Sequence, residues 1–132
     1  MESNMKNASL RMLEIAYAAL DDKKAHDIHM IDISQISILA DYFVISSGSN
    51  PNQIHAMADR VEEKMKEAGF YPRAVEGYQN ANWILMDYQD VVIHIFDTES
   101  RDFYDIERIW SDAERIDQNS LSTPNTLPKM ST

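Results

Sequence analysis

The punctuation between Tyr42 and Val75 constrains the fold more than any other stretch of this chain. Tyr42-Phe43-Val44-Ile45 is a continuous apolar run that stops at Ser46-Ser47-Gly48-Ser49. An apolar run without alternation is the pattern of a strand buried on both faces, so it predicts a central strand. Asn50-Pro51 then sets a capping residue directly before a proline at the first helical position, and Gln53 stands where a capping-box partner reaches back. Ile54, Met57, Ala58, Val61, Met65 and Ala68 form one apolar stripe, Lys64 and Lys66 lie in the last turn where the helix dipole favours cations, and Gly69 supplies the stop. Phe70-Tyr71-Pro72-Arg73-Ala74-Val75 resumes an extended chain, in which Pro72 argues for an edge strand or a strand start. The connection is long enough for a right-handed crossover, which predicts that the two strands run parallel.

The other segments extend this unit. Leu10, Leu13, Tyr17 and Leu20, with Ala16 and Ala19 between them, predict an amphipathic helix over about Ser9 to Asp22, capped by Asn7 or Ser9. Asp27 to Asp32 alternates weakly and reads as a short strand. Trp83 to Asp87 and Val91 to Phe96 read as strands joined through Tyr88-Gln89-Asp90, an antiparallel hairpin. Thr98 or Asp97 caps a last helix in which Phe103, Ile106 and Trp110 share a face. The expected fold class is α/β, with a mixed sheet of about five strands flanked by about three main helices. Residues 1–116 read as a single domain, and 117–132, dominated by Asn, Ser, Thr and Pro, as a disordered tail.

Charge narrows the function classes. Eleven acidic residues lie between Glu76 and Asp117; less the three arginines Arg101, Arg108 and Arg115, they leave −8 of the chain's −10 in that stretch. Such a surface repels phosphate backbones, so direct nucleic-acid binding is disfavoured and a basic protein is the expected partner. The chain has no cysteine, which excludes disulfides and thiolate metal sites. The amino terminus lacks the build of a signal or transit peptide and no apolar run approaches a membrane span, so cytoplasmic residence without membrane attachment is expected.

No catalytic constellation stands out in the sequence, so no enzyme activity, cofactor or metal is expected. Gly48-Ser49 before a helix start could hold a phosphate on free backbone amides, and a Gly-Ser pair there is part of the nucleotidyltransferase signature; this makes a nucleotide-binding relic the alternative function. No Asp-x-Asp follows to hold magnesium. His26-x-x-His29 reads as a solvated pair, because positions three apart on a strand fall on opposite faces and no third ligand stands nearby. His94, among apolar neighbours, reads as a satisfied, partly buried histidine, and His55 as a helix-surface residue. Trp83, Leu85 and Asp87 share one strand face and Ile84, Met86 and Tyr88 the other, so both faces must be covered, within the domain or by another protein. On local pattern alone Trp83 is an ordinary core tryptophan.

The run Glu76-Gly77-Tyr78-Gln79-Asn80-Ala81-Asn82-Trp83-Ile84-Leu85-Met86-Asp87, followed by Asp90 to Phe96 and Arg101 to Trp110, closely resembles the Iojap family, the ribosomal silencing factors. Asp41 to Ile45 with Ser47-Gly48-Ser49 matches the family's first half, so the resemblance spans roughly Ser9 to Ala113. It implies a nucleotidyltransferase-like topology without the catalytic carboxylates. It also implies a cytoplasmic, non-catalytic translational repressor, commonly homodimeric, that binds the large ribosomal subunit through ribosomal protein fourteen and sterically blocks joining of the small subunit. The family's binding region falls on Glu76, Trp83, Leu85 and Asp87 and on Arg101, Tyr104 and Glu107. Trp83, Leu85 and Tyr104 would supply dry contact area, Glu76, Asp87 and Glu107 would meet partner cations, and Arg101 would orient carboxylates. One departure is Gln89, where the family usually has glycine before the hairpin aspartate; a non-glycine there strains the turn if φ is positive.

Overall fold

The computed structural model describes residues 2–122. In chain order the elements are α1 (Glu2–Asp22), β1 (His26–Asp32), β2 (Tyr42–Gly48), α2 (Pro51–Glu67), β3 (Ala74–Glu76), β4 (Trp83–Asp87), β5 (Val91–Asp97), α3 (Thr98–Tyr104), α4 (Ile106–Ile109), β6 (Glu114–Ile116) and α5 (Gln118–Ser122). Among the described residues the strands form one six-stranded sheet in the order β3-β4-β5-β2-β1-β6. Only β2 and β5 pair in parallel; the other neighbours are antiparallel. The sheet is thus mixed, with β2 near its centre as its apolar run requires. β3 is an edge strand behind Pro72 and runs parallel to β2, with β4 and β5 lying between them.

α2 forms as its sequence dictates. Asn50 Oδ1 accepts from the Gln53 backbone N–H at 2.8 Å, and at the other end Phe70 N–H reaches Met65 O at 2.8 Å across Gly69, whose φ is +90°. Ile54, Met57, Ala58, Val61 and Met65 are buried. The helix sits close on the sheet: a Cβ on Gly48 would meet Ile54 Cγ1 at 2.8 Å and Met57 Sδ at 3.0 Å. Gly48 is therefore required by packing.

α1 buries Ser9, Met12, Leu13, Ala16, Ala19 and Leu20, a stripe of spacing three and four. With α2 it covers one sheet face, packing on Met30, Val44, Ile84, Met86, Val91, Ile93 and Ile95. Complete burial of each such large aliphatic stabilises by roughly 1.5–3 kcal/mol. The opposite face carries a smaller cluster of Ile31, Ile33, Ala40, Ile45, Phe96 and Ile106 under α3 and α4.

Four expectations need correction. The helix does not start at Ser9: nothing ahead of it breaks the helix, so α1 runs through both suggested caps and Ser9 is an interior, buried residue. The sheet gains a sixth strand because β6 adds to the β1 edge, opposing Ile116 to Met30. The last helix is two, because Asp105 at φ 48° and ψ 49° breaks it; Ile106 is then buried while Phe103 is 79% exposed, so they share no face. Order also continues past Ile116, since Leu121 of α5 packs into the main core beside α1. The rest of the expected tail, 123–132, lies outside the described residues.

Candidate protein-docking face

Strand pairing sorts the site residues onto one side of the sheet. Directly opposed residues share a face, so Glu76, Leu85, His94, Ile45 and His29 form one row across β3, β4, β5, β2 and β1. Asp87, Val92, Phe43 and Ile31 form a second row, and Trp83, Phe96 and Ser47 a third. This is the face that α3 and α4 cover only in part. α3 brings Arg101 and Tyr104 over it, and α4 brings Glu107. All seven predicted site residues therefore lie on one side of the molecule.

Its apolar part is aromatic. The Trp83 ring lies 4.8 Å from Tyr104 and 5.0 Å from Phe96, and its Nε1–H donates to His94 Nδ1 at 3.1 Å. Phe43 packs edge-on to His94 at 4.5 Å and to Trp110 at 5.4 Å. Trp83, Leu85, Phe43 and Trp110 are half-buried, while Tyr104 is 47% exposed. The short α3 and its break at Asp105 leave this layer open; Trp83 is neither a sealed core residue nor free in solvent.

The charged groups are largely paired within the chain. Arg73 forks Asp87, with Nη2 at 3.0 Å from Oδ2 and Nε at 3.3 Å, and Asp87 Oδ1 also accepts from the Gln89 backbone N–H at 2.7 Å. That bond holds Gln89 at φ 77°, the positive φ foreseen for the turn. Glu76 is exposed at the β3 edge. Arg101, whose side chain is 10% exposed, binds Glu107 in bidentate fashion at 3.1 and 3.0 Å, and its Nη1 reaches Ser47 Oγ at 3.2 Å and His26 O at 3.3 Å. Glu107 also accepts from His29 Nδ1. Burial pushes the Glu107 carboxyl up, but the Arg101 guanidinium and His29 outweigh it and hold the group below its usual range.

His29 is a member of this cluster that the period-two rule missed. Between His26 and His29 the pairing register slips: Asp27 and Ile28 on β1 oppose the single residue Ser46 on β2, and Asp27 in the bulge adopts φ 49°. The bulge puts His26 and His29 on the same face. His29 is consequently paired, not solvated, and His26 Nε2 is engaged with Ser49 Oγ at 2.8 Å. His94 also departs from expectation: it is 4% exposed, and its Nε2 has no partner. His55 stacks on Tyr78 at 4.4 Å and touches its carbonyl at 2.6 Å, fastening the loop before β4 to α2. In that loop a Cβ on Gly77 would strike Trp83 O at 2.2 Å, and φ there is +76°, so only glycine fits.

The Gly48-Ser49 turn offers little to a phosphate. Ser49 N–H donates to Gln53 Oε1 at 2.6 Å and Gln53 N–H to Asn50, so two of the amides a cradle would use are engaged. Gln53 Nε2 binds Lys23 O and Lys24 O, each at 3.0 Å, tying this turn to the end of α1. Among the described residues no group of three or more His, Cys, Asp or Glu is placed to hold a metal, and no helix is long and apolar enough to cross a membrane.

Comparison with known proteins agrees with this architecture. A family profile described as "Ribosomal silencing factor during starvation" matches residues 6–132. The chain is 41% identical over 106 residues to the ribosomal silencing factor of Bacillus subtilis, covering 80% of this chain and 90% of that protein. It is 28% identical over 121 residues to the mouse protein named for mitochondrial assembly of the ribosomal large subunit, covering 89% of this chain and 53% of that one. A crystal structure of a Chromobacterium violaceum protein superposes with a TM-score of 0.75 at 36% identity, over 76% of this chain and 84% of that one. With the profile and the fold agreeing over most of its length, the chain belongs to the ribosomal silencing factor family.

Proposed function

We propose that this chain is a non-catalytic translational repressor that docks on the large ribosomal subunit through ribosomal protein fourteen and thereby keeps the small subunit from joining. The observation that carries this reading is the half-open apolar layer of Trp83, Leu85 and Tyr104, bordered by carboxylates on a chain of net charge −10. An apolar centre with an acidic border complements a basic protein surface, and the mouse relative's name points to the large subunit. Trp83, Leu85 and Tyr104 supply the contact area that excludes water. Glu76 meets partner lysines or arginines directly. Asp87 and Glu107 offer carboxylates whose orientation is preset by Arg73 and Arg101, so Arg101 acts by holding Glu107. Occlusion requires no reaction, only a bound body in the path of the other subunit. A cytoplasmic homodimer when unbound belongs to the same reading.

Co-sedimentation with isolated large subunits, followed by addition of small subunits, tests it. Native protein should pellet with the large subunit and slow subunit joining, and Trp83→Ala should weaken binding by about 2 kcal/mol, roughly thirtyfold. Subunits that join at an undiminished rate in excess protein would overturn it.

A further inference from the structure

Trp83 sits at the centre of the docking face, and its indole N–H has a single acceptor among the described residues, Nδ1 of His94. That bond dictates the tautomer. If Nδ1 accepts, the proton of a neutral imidazole is on Nε2, and Nε2 is buried without a partner. The ring is walled in by Phe43, Trp83 and Phe96, with centroids at 4.5, 6.0 and 6.3 Å. Burial lowers its pKa to about 4, so the ring is neutral near pH 7 and Nδ1 is available as an acceptor.

We propose that His94 is the positioning residue of the docking face: its Nδ1 holds the Trp83 indole in the pose that the partner meets. The inference rests on the docking function proposed above. Stability alone is a weak reason for an imidazole here, because the bond it accepts from the half-buried Trp83 is offset by an Nε2–H buried without a partner. A phenyl ring would suit the same aromatic wall and would bury no unpaired N–H, which is a destabilising feature. What the imidazole adds is an acceptor at the edge of Trp83. Phe96 and Tyr104 flank the indole, and the hydrogen bond fixes its remaining rotation about the side-chain torsions. A tryptophan already ordered in its bound pose loses less freedom on association.

The test separates positioning from packing by measuring melting temperature, large-subunit affinity and the Trp83 indole N–H signal by nitrogen-15 NMR, in the full chain carrying Trp110→Phe to leave one indole. His94→Phe should melt at or above the temperature of its parent yet bind about three- to tenfold more weakly, the range expected for freeing one ordered side chain. Its indole N–H should exchange faster with solvent. His94→Gln, whose side-chain oxygen can accept the bond, should recover most of the affinity. Should the phenyl fail to pack, His94→Leu makes the same comparison. If His94→Phe binds as tightly as its parent while Trp83→Ala does not, the inference falls and the docking face stands; if Trp83→Ala also binds normally, both fall. Stability and affinity falling together in His94→Phe and His94→Leu, without recovery in His94→Gln, would reduce His94 to a packing residue.

Discussion

The two faces of the sheet are finished differently. One is sealed by α1 and α2 with aliphatic side chains excluded from water, whereas the other is roofed by the seven-residue α3 and four-residue α4. That second face substitutes rings and ion pairs for a continuous core. A sealed face needs only apolar side chains at the right period. An open one must hold its groups in place by hydrogen bonds, which is the work of Arg73, His94 and Arg101. Stability thus resides mainly behind the sheet, and the function proposed above assigns recognition to the front.

Substitutions on β4 give the sharpest contrast, because neighbouring residues point to opposite faces. Ile84→Ala empties a fully buried site and should destabilise by about 3 to 5 kcal/mol in urea unfolding, whereas half-buried Leu85→Ala should cost under about 1 kcal/mol while weakening large-subunit binding. Equal losses of stability would erase the distinction.

Acid should act on the front face through His94. Its pKa is about 4 when folded against an ordinary 6.5, so between those values only the unfolded chain takes up the proton and stability falls as pH drops. The slope approaches about 1.4 kcal/mol per pH unit in that window, and unfolding curves should lose this component in His94→Phe. Glu107 acts in the same direction at lower pH: its depressed carboxyl stabilises the fold above its unfolded pKa and ceases to do so as pH falls through the folded one.

Removing Arg101 should have a smaller effect. Arg101→Met strips Glu107 of its bidentate partner and should destabilise by about 2 kcal/mol, measured by denaturation, less than a sealed ion pair because Glu107 keeps contact with water. Smallest of all, Gln89→Gly should stabilise the hairpin by about 0.5 kcal/mol by relieving a positive φ, with binding unchanged. A loss of stability there would mean that Gln89 makes a contact outweighing its strain.

Local signals were legible where a single segment contains its own reasons. Asn50-Pro51 and Gly69 delimited α2, and the alternation of Trp83 to Asp87 sorted its residues into two faces without saying which one the core takes. The helix break at Asp105 was hidden, because the left-handed residue is an aspartate, not a glycine. His29 was missed because period-two counting assumes an unbroken strand, and the bulge at Asp27 shifts the count by one. β6 and Leu121 were hidden because their partners, β1 and α1, lie more than 80 residues earlier in the chain.

By itself the sequence determined the main helices and strands from α1 to β5, which residues of β4 share a face, and that negative charge accumulates after Glu76. Those follow from side-chain periodicity and composition, which act over a few residues. Tertiary structure alone decided that β2 pairs with β5, that Arg101 and Glu107 meet His29, and that the indole of Trp83 rests on His94. Such contacts join chain segments whose approach depends on strand order and register, and those are set by how whole surfaces fit together.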